Sequence, residues 1–196
     1  MKRLLDIILA LILLLLGFPL LIFIAVFIFL EDGFPIFFRQ TRPGYLEKPF
    51  TIIKFRTMKN DVNMNVSNDK KRITKLGKFL RKTSLDELPE IWNVLKGEMS
   101  FVGPRPLLLE YLDLYSKQQR IRHSVKPGIT GWAQVNGRNN IDWDEKLALD
   151  IWYVENKGPF LDFKIMLLTI LRVFQGTGVS KTGFATTDKF KGNEKS

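Results

Sequence analysis

A chain of 196 residues is long enough for one domain with a real core and a short appendage. At 45% hydrophobic and 26% charged residues it is not a disordered chain, and with no cysteine it has no disulfide, thiolate–zinc site, iron–sulfur cluster or thiol nucleophile. A single histidine excludes a multi-histidine metal centre, and 30 Lys and Arg against 20 Asp and Glu, a net +10, point to an anionic partner: nucleic acid, lipid headgroups or phosphorylated small molecules.

From Leu4 to Leu30 the chain is apolar apart from Asp6. The run exceeds the about 20 residues that cross a bilayer and the roughly 7–15 of a signal-peptide core. No small-residue cleavage site follows it. The segment therefore reads as a retained membrane helix at residues 1–30, joined to a domain at 31–196 with a polar C-terminal tail. Pro19 gives no donor to the carbonyl of Leu15 and predicts a kink, loosened further by Gly17. Lys2 and Arg3 favour a cytoplasmic N-terminus. A straight span would then place the basic remainder outside the cytoplasm, whereas a re-entrant helix would keep both ends inside. The segment alone allows either, because proline is tolerated in spanning helices.

Ile36-Phe37-Phe38 and Phe50 to Phe55 predict two strands of a hairpin around the turn-rich Thr41-Arg42-Pro43-Gly44. Asn60 to Lys71 reads as a polar loop. Ile73 to Leu95 predicts a helix in two pieces, with Leu76, Phe79 and Leu80 on one face of the first. Gly97 to Pro106 and Lys126 to Asn140 read as loops; Leu107 to His123 and Asp142 to Asn156 read as helices. Phe160 to Phe174 is too short and too charged to span, and it reads either as a buried helix or as one lying in the interface. The tail from Lys181 is expected to be loosely held.

The stretch Thr83-Ser84-Leu85-Asp86-Glu87-Leu88-Pro89-Glu90 carries the strongest chemical signal. Structurally it offers a helix start, either a Ser84–Glu87 capping box or Asp86 as N-cap with Pro89 in the first turn. Chemically, a carboxylate at a helix N-terminus is favoured in its ionised, nucleophilic form, and a neighbouring carboxylate could hold Mg²⁺ against a phosphate. Arg105, fixed between Pro104 and Pro106, suits bidentate phosphate binding. In the glycine-rich Lys126 to Asn140, the side chains of Gln134, Asn136 and Asn139 could bond a base or sugar. Trp132 could pack on one, and Arg138 could meet a phosphate. Lys54 and Arg56 add positive charge. His123 reads as a helix-end residue, and Trp92, Trp143 and Trp152 as packing residues.

Several of these stretches together resemble the small monotopic phosphoglycosyl transferases of the bacterial sugar transferase family. The resemblance runs nearly end to end. It rests on Arg42-Pro43-Gly44, Lys54-Phe55-Arg56-Thr57-Met58, Ser84 to Pro89, Asn93 to Ser100, Phe101-Val102-Gly103-Pro104-Arg105-Pro106 and Pro127 to Arg138. Gly178 to Gly183 and Thr186 to Phe190 are similar to the diacetylbacillosamine-phosphate transferases within that family. The resemblance implies an α+β fold: a mostly helical, membrane-associated domain with a small β-hairpin and an N-terminal re-entrant membrane helix. It implies location on the cytoplasmic face of the bacterial inner membrane. It also implies transfer of a sugar 1-phosphate from a UDP-sugar, first an N-acetylated one, to undecaprenyl phosphate, with UMP released.

By resemblance Asp86 is the nucleophile that becomes a phosphoglycosyl-aspartate, and Glu87 binds Mg²⁺. Lys54, Arg81, Arg105 and Arg138 hold phosphates, and the kinetics are ping-pong. Downstream glycosyltransferases are candidate partners, and nucleic acid is not a partner. One departure is Phe18-Pro19, where the minimal relatives carry Ser-Pro; the angle and stability of the helix break are affected, not the reaction. Two further readings compete. A non-enzymatic membrane-anchored binder of anionic lipid or nucleic acid explains the charge but leaves the acidic pair and the rigid Arg105 loop unexplained. A glycosyltransferase that moves sugar without phosphate would release UDP.

Overall fold

The computed structural model describes residues 2–59, 72–137, 141–175 and 189–192. The apolar run forms one helix, α1 (Lys2–Asp32), with Pro19 inside it. Its two ends pack on the rest of the chain. Near the start Asp6 and Ala10 are buried, and near the end Ile24 and Ile28; nothing between Ala10 and Ile24 is. Both ends of the helix are thus packed on the rest of the chain and its middle is exposed.

The polar residues at these ends satisfy the body's backbone. Lys2 Nζ donates to Val102 O (2.8 Å), Tyr153 Oη (2.8 Å) and Asp162 Oδ2 (2.7 Å). The Arg3 guanidinium caps carbonyls of Val94 and Leu95, the latter at 2.7 Å. At the far end Glu31 Oε1 accepts the N–H of Lys75 at 2.9 Å. Arg56, expected to add charge to the site, is instead buried against this helix end. It bonds the carbonyls of Asp32, Gly33 and Phe34 and pairs with the Asp32 carboxylate at 3.2 Å. A guanidinium with its donors spent on a helix terminus has none left for substrate.

The expected hairpin forms, but its turn lies later than expected: Thr41 to Pro43 belong to the first strand, and Gly44 to Lys48 make the connection. β1 (Phe37–Pro43) and β2 (Pro49–Phe55) pair antiparallel with Arg42 opposite Phe50 and Phe38 opposite Lys54. The helix predicted from Ile73 divides into α2 (Lys75–Thr83) and α3 (Glu90–Lys96), separated by a 3-10 turn at Leu85–Glu87. Leu80 is buried, but Phe79 faces outward, at 55% exposure. Two stretches read as loops contain strands: β3 (Ser100–Val102) and β4 (Gly128–Thr130) pair in parallel. Their approach explains the glycines. A Cβ on Gly128 would lie 2.1 Å from the backbone N of Gly103.

The predicted helix from Leu107 to His123 is two 3-10 segments, Leu109–Leu114 and Gln119–Ser124. The glycine-rich stretch also holds α4 (Trp132–Asn136). The helix expected from Asp142 to Asn156 is α5 (Trp143–Asn156), and it starts at an Asp142 cap.

The last helix, α6 (Pro159–Gln175), is neither wholly buried nor free. Ile165 joins a core of Val102, Val135, Tyr153 and Val154, while Phe160, Phe163, Leu167, Ile170 and Leu171 are exposed. Trp143 packs as expected, edge-on to Tyr111, whereas Trp92 is half exposed. The polar loop at 60–71 and most of the tail lie outside the described residues. The exception in the tail is informative: Phe190 is buried and stacks on Tyr115 at 5.6 Å, so the chain there is pinned.

Candidate active site

The 3-10 turn Leu85–Glu87 is presented by an unusual corner. Ser84 ends α2 in the left-handed region (φ 57) and makes no side-chain cap to the turn. The N-cap of α3 is Pro89. Neither expected cap exists, so Asp86 and Glu87 are not spent on starting a helix. They project from a tight turn between two helices.

Three elements converge on this turn. Strand periodicity puts Lys54 on the same face of β2 as the buried Phe50 and Ile52, which carries its ammonium inward. Lys54 Nζ bonds Glu87 Oε1 at 2.6 Å and lies 3.0 Å from Glu90 Oε1. Arg105 Nη2 reaches the same Glu87 oxygen at 2.6 Å. The Arg105 carbonyl is held by Arg122 Nη2 at 2.7 Å, and Arg122 is in turn paired with Asp150 at 2.7 Å in the interior. Asn93, fully buried on α3, locks helix to hairpin by donating to Thr51 O and accepting from the N–H of Ile53. Gly77 lets α2 close on Thr57, where a Cβ would meet the Thr57 carbonyl at 2.2 Å. One turn later Arg81 Nε donates to Thr57 Oγ1 at 2.9 Å.

The two adjacent carboxyl groups are driven apart in acidity. Burial pushes Asp86 up to about 6, with the Glu87 charge adding to it and Lys54, Arg105 and Arg81 opposing. Burial acts on Glu87 in the same direction but is outweighed by Arg105 and Lys54, which hold it well below the usual carboxylate range. Burial raises Glu90 to about 7. Lys54 is lowered by burial and raised by Glu87 and Glu90, and the net shift is upward. Asp86 stands in the 3-10 turn ahead of the Pro89 N-cap, not in the first turn of α3 as the sequence suggested, and burial is the largest influence on its acidity. Near neutral pH Glu87 is a fixed anion neutralised by two cations, and Asp86 is an anion without a hydrogen-bonding partner of its own among the described residues. An unbonded, desolvated carboxylate is a better nucleophile than a hydrated one.

Mg²⁺ needs one or two ionised carboxylates plus phosphate and water oxygens. Glu87 fits, because it stays ionised and both cations use Oε1 rather than Oε2. Among the described residues no group of three or more acidic or histidine side chains forms an all-protein metal cage.

Lys54, Asp86, Glu87 and Arg105 are brought together, and Arg81 lies within electrostatic reach of Asp86. Arg138 and Asn139 lie outside the described residues. Asn136 is spent on the Trp132 carbonyl within α4, and Trp132 stacks on Trp152 at 5.0 Å, which covers one ring face. The Gln134 amide is buried without a partner. Glu90 and the Arg122–Asp150 pair were missed by sequence reasoning. Glu90 had a signal, since it stands three residues from Glu87; the Arg122–Asp150 pair had none.

Residues 1–176 match the family described as bacterial sugar transferase. The chain is 49% identical over 195 residues to the uncharacterized sugar transferase EpsL of Bacillus subtilis, covering 98% of this chain and 96% of that one. It is 46% identical over 187 residues to the UDP-glucose:undecaprenyl-phosphate glucose-1-phosphate transferase of Escherichia coli, covering 89% of this chain and 40% of that protein. It is 37% identical over 198 residues to the undecaprenyl-phosphate galactose phosphotransferase of Salmonella typhimurium, covering 91% and 41%. The chain thus spans under half the length of these last two. It belongs to the bacterial sugar transferase family. By class it is an enzyme, a phosphoglycosyl transferase.

Proposed function

We propose that this chain transfers a sugar 1-phosphate from a UDP-sugar to undecaprenyl phosphate and releases UMP. The observation that carries the reading is the Asp86–Glu87 pair: two adjacent carboxyl groups, one locked and ionised by Lys54 and Arg105, the other half-buried and unbonded among the described residues. In the first half-reaction an Asp86 oxygen attacks the sugar-bearing phosphorus, and the bond from that phosphorus to the UMP oxygen breaks. In the second, a phosphate oxygen of the lipid attacks the same phosphorus, and the Asp86–phosphorus bond breaks to restore the carboxylate. No net proton is consumed. Bound Mg²⁺ supplies charge neutralisation to the phosphates, with Glu87 as its protein ligand. Lys54, Arg81, Arg105 and Arg138 balance the remaining phosphate charge.

The acceptor comes from a bilayer, and the anchor suits that. A straight crossing of about 30 Å of hydrocarbon would part the two ends of α1. Here Lys2 and Arg3 at one end and Asp32 at the other bond one and the same body. That supports a re-entrant helix whose Pro19 arc dips into the cytoplasmic leaflet of the inner membrane. The exposed apolar face of α6 supports a body lying against the same surface.

The test offers purified full-length protein Mg²⁺, undecaprenyl phosphate and a panel of UDP-sugars, with N-acetylated sugars first and glucose and galactose beside them. UMP and UDP are assayed separately. Acceptor-dependent UMP release, lost in Asp86→Asn, supports the reaction. UDP in its place, or full activity in Asp86→Asn, refutes it.

A further inference from the structure

Arg42 closes β1, and its guanidinium has an unusual environment. Nη2 bonds a neutral amide oxygen, Gln40 Oε1, at 2.6 Å, and Nε is buried with no hydrogen-bond partner. Among the described residues no carboxylate lies within ion-pair distance of it. Other inward-facing cations here are neutralised at close range: Lys54 by Glu87 and Glu90, Arg56 by Asp32, Arg122 by Asp150. The charge that acts most on Arg42 is of its own sign. After burial, Arg105 is the largest influence, and together they lower Arg42 to about 10; Tyr111, Glu90 and Tyr115 act the other way, more weakly. The backbone shows why the two arginines meet. Pro43 and Gly44, directly after Arg42, line one cleft with Pro104, Arg105 and Pro106.

A guanidinium stays charged at neutral pH, and burying it beside another one without a counterion costs stability. Two guanidiniums close enough to act on each other are complementary to a phosphoryl oxyanion, which accepts bidentate bonds and cancels both charges. We propose that Arg42 and Arg105 form a two-guanidinium clamp for a phosphoryl oxyanion, with Arg105 shared between Glu87 and the ligand. Arg42 is thus a further substrate-binding residue, and the counterion it lacks is the substrate. The naming of the two sources of that oxyanion, the nucleotide-sugar diphosphate and the polyprenyl phosphate, rests on the function proposed above.

The test compares wild-type full-length protein with Arg42→Gln and Arg42→Lys. Thermal unfolding is measured alone and with inorganic pyrophosphate, UMP or a short-chain polyprenyl phosphate. Without ligand, Arg42→Gln melts at the wild-type temperature or above it, because a repulsive charge has gone. It loses the stabilisation given by at least one ligand, and the KM of the matching substrate rises about 10–100-fold while kcat changes less. Single-turnover UMP release without acceptor reads the donor; steady-state rates against acceptor concentration read the lipid. Arg42→Lys, which keeps the charge and loses the fork, falls between.

A lower melting temperature for Arg42→Gln with ligand stabilisation unchanged would make Arg42 a structural residue and overturn the clamp. Unchanged stabilisation by every ligand would overturn it whatever the melting temperature. If wild-type protein releases no UMP from any donor, the proposed function fails, and the ligand shifts still decide the clamp.

Discussion

Asp6 and Phe101 stand 95 positions apart, and Asp6 Oδ1 accepts the backbone N–H of Phe101 at 3.1 Å. The same oxygen accepts from Ser100 Oγ at 3.1 Å. The one acidic residue in the apolar run from Leu4 to Leu30 is thereby spent on β3, the strand that leads through Gly103 and Pro104 to Arg105. Asp6→Ala strips both donors of their acceptor inside the protein. The expected cost is about 1–3 kcal/mol of stability. Turnover falls, while membrane association persists because the apolar run is intact. Thermal unfolding, vesicle flotation and UMP release on one preparation check this; an unchanged melting temperature with full turnover would show that the contact ties nothing.

Acidity gives a prediction with a definite sign. The attacking form of Asp86 is the carboxylate, and its raised value of about 6 places the acid limb of the first half-reaction there. Single-turnover UMP release should climb about tenfold per pH unit below that point and level off above it. The native state holds this proton more tightly than the unfolded chain does. Ionisation therefore costs stability as pH rises from about 4 to about 6. Asp86→Asn removes that cost: the variant is inactive, yet it gains on the order of 1–3 kcal/mol at pH 7, a gain that fades below about pH 4. Inactivity accompanied by a drop in melting temperature at pH 7 would contradict the desolvation account.

Lys54 is wedged between Glu87 and Glu90. Lys54→Met leaves two inward carboxylates with one cation fewer, and destabilisation of about 3–5 kcal/mol is expected. Adding Glu90→Gln to that variant should restore part of the stability without restoring activity, because the lost phosphate contact stays lost. Denaturant titrations of the four proteins in a double-mutant cycle measure the coupling; strict additivity would mean that Lys54 and Glu90 do not interact.

The interior pair Arg122–Asp150 acts on Arg105 through its backbone. Asp150→Asn leaves Arg122 charged and unpaired at a site that is 3% exposed, and about 3–5 kcal/mol of stability should be lost. If the pair also positions Arg105, the KM for a phosphate substrate rises in conditions where the variant is still fully folded. A stability loss with an unchanged KM would confine the pair to a packing role.

Much of this was legible locally. Two short apolar runs around a turn-rich stretch announced the hairpin, the long apolar run announced α1, and Asp142 to Asn156 read as the helix that became α5. The acidic pair and the Pro104-Arg105-Pro106 loop stood out as candidate chemistry, although by spacing alone the pair fits a helix start equally. What was not legible depends on contacts distant in sequence. The β3–β4 pair is three residues long, and its signal was glycines, which mimic a loop. The 3-10 segments after Pro106 carry helical spacing but not a continuous α-helical ladder. Arg56 and Arg105 look alike as letters; one is spent on the far end of α1 and the other on Glu87 in the acidic turn, and only the fold separates them. Ser84 fits a capping box by spacing, but its left-handed backbone turns it into the end of the preceding helix.

The double footing of α1 bears on how the lipid is found. A single flexible tether would let the catalytic body sample a hemisphere of orientations above the surface. With both feet of the helix bonded to that body and the Pro19 arc immersed as proposed, tilting is opposed at two places, while sliding and spinning in the plane stay free. The height of Asp86 above the lipids then becomes a constant of the molecule. Encounter with the acceptor becomes a search in two dimensions, governed by lateral diffusion and by lipid density per unit area. Turnover should follow the mole fraction of polyprenyl phosphate in the bilayer, not its bulk concentration.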